Sequence, residues 1–184
     1  IKNAHATVLL GLSGQPHTFS EPIVRAMGEI SGRPIIFPLS NPTSLAEATP
    51  TELLNWTGGR AMIATGSPFP AVTHDGVTHQ IAQANNALVF PGIGLGVAVC
   101  RASRVTDAMI AASAEAVASL SQVSQPGDSL LPSIKDLRRV SSTVALAVAT
   151  AAEADGVAQR PLTHPVEQVY EAMWQPEYPE LIIG

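Results

Sequence analysis

Three short loops carry the polar side chains that could best bind a ligand in this sequence. They consist mainly of small residues and span residues 11–14 (GLSG), 40–43 (SNPT) and 65–68 (TGSP). Each follows an apolar run that predicts a buried strand. In an open parallel sheet, ligands bind beyond the carboxyl ends of the strands, and small residues let a ligand approach the backbone closely. We therefore expect the three loops to line one binding crevice.

Asparagine amides are the side chains best suited to bind a small ligand there. Asn41 lies in the middle loop, and Asn85 and Asn86 stand directly before the apolar run 87–92. An amide can donate to a carboxylate or ribose oxygen and can accept from a hydroxyl. Two alternatives stay open, namely an Asx-turn at Asn41 before Pro42 and helix capping by the later pair.

The other polar residues predict no catalytic or metal-binding group in this chain. Ser13 and Ser67 lack a recognisable base partner and a nucleophile-elbow sequence. Glu47 and Glu52 are interpreted as charges at a helix start. The histidines show no metal-ligand spacing. They are His5, His17, His74, His79 and His164.

Buried strands alternating with helices would position these loops. Short, continuous apolar runs at about residues 6–12, 34–39 and 60–64 predict three strands. Helical patterns separate the first strand from the second and the second from the third. This alternation predicts an α/β fold with a parallel, doubly wound sheet.

Local signals mark where the connecting elements begin and turn. Ser20 is a candidate helix cap with Pro22 in the first turn. The segment from Thr49 to Glu52 matches the capping-box pattern. The pair Asp75-Gly76, with valines on both sides, predicts a small hairpin.

Beyond Pro91 the pattern becomes helical. We expect helices at about residues 92–102, 106–120, 134–154 and 165–174. In the second of these, apolar residues recur at helical spacing and predict one core-facing side. They are Met109, Ile110, Ala114 and Val117.

Composition excludes several functional classes. The net charge of −5 comes without a basic cluster, so we expect no nucleic-acid partner. No run approaches the roughly 18 apolar residues of a membrane span. The single cysteine, Cys100, excludes an internal disulfide and a cysteine-based zinc site and is interpreted as a core residue. Because residues 1–5 lack the order of a signal peptide, we expect a cytoplasmic protein.

Taken in order along the chain, the loop sequences resemble one enzyme family. The matching segments are residues 35–44 (IIFPLSNPTS), 59–69 (GRAMIATGSPF), 85–86 (NN) and 90–96 (FPGIGLG). They resemble the malic enzymes, and the likeness covers most of the chain. The resemblance implies oxidation of L-malate with NAD or NADP and decarboxylation to pyruvate, with Mg²⁺ or Mn²⁺.

The resemblance also assigns roles to individual residues. Asn41 matches an asparagine that contacts malate and the nicotinamide side of the cofactor, and Asn85 with Asn86 matches a substrate-binding amide pair. The cofactor-lining loop of the family falls on Gly11, Leu12, Ser13 and Gly14. The following residues 15–17 (QPH) depart from the family's glycine-rich continuation.

The resemblance implies that much of the active site lies elsewhere. The family's tyrosine acid, lysine base, substrate-binding arginine, metal-binding acids and dinucleotide fingerprint belong upstream of Ile1. We therefore expect a single partial domain, the second half of a Rossmann-like doubly wound sheet followed by C-terminal helices. Residues 1–90 would form its NAD(P)-binding part and residues 91–184 its helical part. The chain alone would be inactive and would need the missing N-terminal part.

Some alternatives stay open at this level. The chain could be a non-catalytic module that binds a small carboxylate or nucleotide in the same crevice. A piece of a phosphate acetyltransferase-type fusion ranks last, because no residue here resembles that domain. The choice between NAD and NADP stays open, because the residue that contacts the adenosine ribose and distinguishes the two cofactors belongs to the half of the domain upstream of Ile1. Family members assemble as dimers or tetramers, so we expect a homo-oligomer.

Overall fold

The computed structural model describes residues 1–176. It divides into two compact units, each described separately below. The first comprises residues 1–88 and 117–137, and the second comprises residues 89–116 and the chain from residue 138 onward.

A four-stranded parallel sheet forms the centre of the first unit. Its strands are β1 (Val8–Gly11), β2 (Ile35–Pro38), β3 (Met62–Thr65) and β6 (Ala82–Gln83), in the order β1-β2-β3-β6. All neighbouring pairs are parallel. Each successive strand of this sheet is therefore added at the same edge, as in one half of a doubly wound sheet. The predicted α/β fold is confirmed, and the short strand β6 is an addition to it.

The register of the sheet aligns the loops that follow the strands. Gly11 at the end of β1 lies opposite Pro38 of β2, and Thr65 at the end of β3 lies opposite Gln83 of β6. The loops after all four strands thus leave the sheet at the same edge. The predicted crevice has its structural basis in this alignment.

Two helices connect these strands and cover the core. The first, α1 (Glu21–Ile30), has Ser20 at its N-cap position and Pro22 in its first turn, as predicted, but the Ser20 side chain makes no capping hydrogen bond. The second, α2 (Pro50–Thr57), begins with the predicted capping box. Glu52 Oε2 accepts from the backbone N–H of Thr49 at 2.8 Å, and Thr49 Oγ1 accepts from Glu52 N–H at 3.3 Å.

Apolar side chains of the sheet and of α1 and α2 form the core of the first unit. The apolar runs are buried to different extents: β3 is buried from residue 63 to 65, β2 alternates between buried and half-buried residues, and Val8 and Leu10 of β1, which was predicted to be buried, are exposed. Fully buried members of this core are Val24, Met27, Ile36, Leu53 and Leu54.

The predicted hairpin is present beyond the third strand. Strands β4 (Val72–His74) and β5 (Val77–His79) pair antiparallel. Asp75 and Gly76 between them have φ angles of 48° and 79°. Positive φ at both turn residues is the geometry that a two-residue hairpin favours and that Asp-Gly tolerates. This prediction is confirmed.

Helices make up the second unit. They are α3 (Phe90–Cys100), α4 (Asp107–Ser119), which begins in this unit, α5 (Leu137–Ala154) and α6 (Pro165–Ala172). Cys100 is fully buried, as expected for a core residue. On α4, however, Ile110 and Ala114 are exposed while Met109 and Val117 are buried, so half of the predicted core-facing side is wrong. No helix in residues 1–176 is long and apolar enough to cross a membrane.

Glycines let α3 and α5 approach closely. A Cβ at Gly92 would lie 2.5 Å from Val144 Cβ, and one at Gly96 would lie 2.7 Å from the Ala145 carbonyl oxygen. Gly94, on another side of α3, faces open space. Because residues four apart lie on one helix face, the spacing of Gly92 and Gly96 creates a flat contact surface.

Candidate functional site

An open cavity of about 450 Å³ lies at the carboxyl end of the sheet. Residues from the loops after all four strands contribute to its lining. They are Leu12, Leu39, Asn41, Gly66, Gln83, Ala84, Asn85 and Asn86. Four of the residues predicted from the sequence therefore come together around one space. The other three, Gly11, Ser13 and Gly14, lie beside it without lining it.

The side chain of Asn41 is held in a defined orientation. Its Oδ1 accepts a hydrogen bond from the hydroxyl of Ser67, and its Nδ2 donates a long bond to the Leu39 carbonyl at 3.3 Å. The Asx-turn alternative would require Oδ1 to accept from a backbone N–H two residues later. Because Oδ1 is instead occupied by Ser67, the amide offers mainly an N–H donor to the cavity.

Close backbone approach explains the glycine at position 66. A Cβ there would lie 2.1 Å from the Leu39 carbonyl oxygen and 3.1 Å from Asn41 Nδ2. Any larger residue would push the β3 loop away from the β2 loop. Gly66 therefore keeps Ser67 within reach of Asn41.

Gln83 is a cavity residue that the sequence analysis did not identify. Its Nε2 donates to the carbonyl oxygen of Gly66 at 3.1 Å, so that its Oε1 is the part of the amide that could accept from a ligand. Strand β6 has only two residues, too few to produce a readable apolar pattern. A strand of this length becomes recognisable only from its pairing with β3.

Asn85 fulfils the capping alternative through its oxygen. Oδ1 accepts from the backbone N–H of Ala87 at 2.9 Å, at the start of a short 3₁₀ turn, Asn86–Leu88. Its Nδ2 forms no hydrogen bond within residues 1–176, and neither does the side chain of Asn86 in that part of the chain. Asn85 therefore resembles Asn41, since the protein occupies its oxygen and leaves its N–H groups available.

The cavity is suited to bind oxygen atoms of a ligand. Amide N–H groups of Asn41 and Asn85 could donate to such atoms, and Gln83 Oε1 could accept from a ligand hydroxyl. Carboxylate, carbonyl and hydroxyl oxygens accept such hydrogen bonds. None of the eight lining side chains titrates, so these residues can bind and orient a ligand but cannot transfer its protons.

A buried carboxylate stands directly behind the cavity loops. Glu47 is 0% exposed, and its Oε1 accepts from Ser13 N–H at 2.8 Å and from Ser13 Oγ at 2.9 Å. The Ser40 hydroxyl also donates to Oε1, and Ser40 N–H donates to Oε2 at 3.3 Å. The interpretation of Glu47 as a helix-start charge is wrong, because Glu52 fills the capping role of α2.

These hydrogen bonds keep the Glu47 carboxylate charged. Burial raises the pKa of Glu47, but the bonds from Ser40 and Ser13 together outweigh burial, and the net pKa lies below the ordinary value of 4.5. Its flanking residues Ala46 and Ala48 are also buried. The sequence offered one signal for this burial. Glu47 stands between two alanines and next to a capping box that already has its own glutamate.

The structure indicates no metal centre in the described chain. Within residues 1–176, no group of three or more His, Cys, Asp or Glu side chains is placed to hold a metal ion. Burial and the neighbouring His74 lower the pKa of His79 below its ordinary value. Both serines that could have been nucleophiles, Ser13 and Ser67, donate their hydroxyls to protein oxygens.

Comparison with known proteins gives a consistent result. The family model described as "Malic enzyme, NAD binding domain" matches residues 1–153. The chain is 48% identical over 178 residues to NAD-dependent malic enzyme 3 of Bacillus subtilis, covering 97% of the chain and 31% of that protein. It is 51% identical over 180 residues to the NAD-dependent malic enzyme of Shewanella frigidimarina, covering 97% and 32%. The chain thus spans about a third of the length of these relatives.

Solved structures agree with the sequence comparison. The crystal structure of malic enzyme from Pyrococcus horikoshii matches with a TM-score of 0.71 at 29% identity, over 91% of this chain and 35% of that one. The crystal structure of the Entamoeba histolytica malic enzyme matches with a TM-score of 0.72 at 29% identity, over 91% and 31%.

Proposed function

Because the chain belongs to the malic enzyme family, through its NAD-binding domain, we propose that it supplies part of the cofactor and substrate site of an NAD-dependent malic enzyme. The complete enzyme would oxidise L-malate with NAD and release pyruvate and CO₂. The choice of NAD over NADP is supported by the relatives from Bacillus subtilis and Shewanella frigidimarina, both named NAD-dependent.

One structural observation carries the proposal. Asn41 and Asn85 line the same cavity at the carboxyl end of a parallel sheet, and the Oδ1 of each accepts a hydrogen bond from the protein, which favours their NH₂ groups as the ligand contacts. Malate has two carboxylates and a hydroxyl, so its oxygens fit a site of this kind. The residue roles proposed are substrate binding by Asn41, Asn85 and Asn86.

The cofactor is proposed to bind beside the same cavity. Bound NAD would supply the acceptor for the hydride that leaves malate. The loop of Gly11, Leu12, Ser13 and Gly14 would line it, with Asn41 at the boundary between cofactor and substrate. Leu12 lines the cavity and is 79% exposed, which fits an apolar surface available to a flat ring.

The chain's contribution in this proposal is binding and orientation. Amides that hold the substrate oxygens place the reacting carbon relative to the cofactor. The bound substrate then has less translational and rotational freedom left to lose in the transition state, which lowers the activation barrier. The cavity offers amides and no carboxylate, so it does not fit Mg²⁺ or Mn²⁺, which prefer carboxylate oxygens. We propose that the acid, the base and the metal ligands lie in the other two thirds of the enzyme.

The remaining part of the polypeptide and further subunits are the proposed partners. The coverage of about a third of each relative supports the first. We propose a homo-oligomer, to be tested by sizing chromatography of the complete enzyme. Residues 1–90 remain the proposed NAD(P)-binding part and residues 91–184 the proposed helical part.

An assay of the complete enzyme tests the function. Purified protein that contains this chain should form NADH and pyruvate from L-malate in the presence of Mn²⁺, and should use NAD better than NADP. The 184-residue chain alone should form neither product above background. A complete protein that binds NAD without turning over malate would support the alternative of a non-catalytic binding module.

A further inference from the structure

A buried charge without a counter-charge is the least expected feature of the first unit. Glu47 is fully buried, and none of the ion pairs among residues 1–176 includes it. Burying a carboxylate is costly unless hydrogen bonds replace its lost hydration. An apolar residue would pack at this position without that cost. The carboxylate must therefore be explained by the groups that it contacts.

Those groups belong to two different loops beside the cavity. Oε1 accepts from the backbone and the hydroxyl of Ser13 in the loop after β1, and both carboxylate oxygens accept from Ser40 in the loop after β2. Hydrogen bonds to a charged group are about twice as strong as neutral ones. One side chain thus holds the loop proposed to line the cofactor and the loop that carries Asn41.

Ser40 extends this connection by one further bond. Its hydroxyl donates to Glu47 and accepts from the backbone N–H of Gly14 at 2.8 Å. The two loops are therefore joined twice, once through Ser13 and once through Ser40 and Gly14. The cavity residues Leu12 and Asn41 are each adjacent in sequence to one of these anchored serines.

The end of β1 leaves space for this carboxylate. A Cβ at Gly11 would lie 2.5 Å from Glu47 Cδ and 2.7 Å from Glu47 Oε2. Even alanine at position 11 would displace the carboxylate or the strand end. The absence of a side chain at Gly11 therefore provides the space that the Glu47 carboxylate occupies.

We propose that Glu47 is a positioning residue, which sets the distance between the cofactor-lining loop and Asn41 and thereby the placement of NAD against the substrate. The inference rests on the proposed function for the identity of the ligands. Glu47 itself touches neither ligand. It acts through Ser13 and Ser40.

The test is Glu47→Gln in the complete enzyme. The amide has nearly the same shape, but its NH₂ group at the Oε2 position cannot accept from Ser40 N–H, and its oxygen at the Oε1 position carries no charge. A loop displaced by about 1 Å can cost about 100-fold in rate. We expect the dissociation constant for NADH, measured by fluorescence titration without malate, to rise at least about ten-fold, and kcat/KM for malate to fall by a similar or larger factor.

Glu52→Gln is the matched control. It makes the same carboxylate-to-amide change five residues away, but its partner is Thr49 of the α2 capping box. We expect this variant to lower the melting temperature while the NADH dissociation constant stays within about two-fold. Equal effects of the two variants on NADH binding would assign Glu47 a purely structural role and overturn the inference.

A second variant keeps the test decisive if Glu47→Gln does not fold. Ser40→Ala retains the carboxylate and removes only the bond to Gly14 and one donor to Glu47. It should also weaken NADH binding at least several-fold. Unchanged NADH binding in a folded variant overturns the proposal for Glu47. Wild-type enzyme that binds no NADH, or does not oxidise malate, would instead overturn the proposed function.

Discussion

Ser67 donates its hydroxyl hydrogen to Oδ1 of Asn41 across 26 residues of sequence. In the proposed site, this single bond decides which end of the amide a ligand meets. With Oδ1 occupied, the NH₂ group is the part of Asn41 that remains for an oxygen of the ligand. Ser67 therefore sets the hydrogen-bonding character of the cavity without entering the proposed contacts itself.

Removing that hydroxyl should weaken substrate binding moderately. In the complete enzyme, Ser67→Ala would free the Asn41 amide to rotate and present its oxygen to a carboxylate. A neutral hydrogen bond contributes about 0.5–1.5 kcal/mol, so KM for malate should rise about 2- to 13-fold. Thr73→Ala, which removes a hydroxyl from the exposed hairpin, is the control and should leave KM unchanged. Equal KM values for both variants would contradict this role of Ser67.

Replacing the cavity amides should affect binding more strongly. Asn41→Ala and Asn85→Ala each remove an N–H donor to a charged ligand, worth about 1.5–3 kcal/mol, so KM for malate should rise about 10- to 150-fold. Asn41→Ala should also weaken the cofactor, whereas Asn85→Ala should act mainly on malate. Asn86→Ala shows whether that neighbour also faces the substrate. Unchanged KM values in folded variants would leave Asn85 only its capping role and Asn41 only its bond to Ser67.

A second substitution at position 85 distinguishes a role in ligand binding from a role in capping the turn. Asn85→Asp keeps an oxygen that can accept from Ala87 N–H, but it replaces the NH₂ donor with a negative charge. We expect it to raise KM for malate more than Asn85→Ala does and to lower the melting temperature less. The opposite order would indicate that Asn85 serves the turn alone.

The contact between α3 and α5 predicts opposite outcomes for two glycines on one helix. A Cβ at Gly96 would lie 2.7 Å from the Ala145 carbonyl oxygen and 2.9 Å from Val148 Cβ, whereas Gly94 has nothing within 4 Å. Overpacking typically costs about 1–3 kcal/mol, so Gly96→Ala should destabilise the protein by that amount. Gly94→Ala should be neutral or stabilise it by up to about 1 kcal/mol. Denaturant unfolding of both variants measures the difference, and equal stabilities would exclude the close contact.

The buried carboxylate predicts a pH-dependent part of the stability. The pKa of Glu47 in the folded protein lies below its ordinary value of 4.5, so the folded state favours the charged form. Its contribution to stability is therefore fully present above pH 4.5 and is lost as the pH falls through the folded-state pKa. The difference in unfolding free energy between wild type and Glu47→Gln should shrink in that range. The other acids titrate in both proteins and cancel in this difference. A difference that is independent of pH would therefore show that the charge of Glu47 does not contribute to stability.

The edge of the sheet predicts the behaviour of the isolated 184-residue chain. Among the described residues β1 pairs only with β2, and its Val8 and Leu10 are 46% and 55% exposed. An apolar edge strand with free backbone groups promotes association. We expect sizing chromatography to show self-association, which Leu10→Lys should reduce. The control Val105→Lys changes a similarly exposed valine outside the sheet and should have little effect, and a monomeric wild-type chain would contradict the prediction.

Local sequence patterns were sufficient for most of the architecture. Apolar runs of strand length, the Thr49–Glu52 capping box and the Asp75-Gly76 turn each depend on a few neighbouring residues, and the structure confirms them. The loops at the strand ends could be predicted to lie together because all parallel strands of one sheet end at the same edge. Asn41 could be selected because it stands in one of those loops, and Asn85 because it directly precedes an apolar run.

Only the tertiary structure decided how these residues are paired. The bonds from Ser13 to Glu47 and from Ser67 to Asn41 join residues 34 and 26 positions apart. Such pairs depend on strand register, which places distant loops side by side and has no signature within either loop. For the same reason Glu47 resembled an ordinary helix-start acid, and the two-residue strand of Gln83 was not predicted. Burial of a charge depends on what packs around it, and the groups that bind the Glu47 carboxylate come from two separate loops.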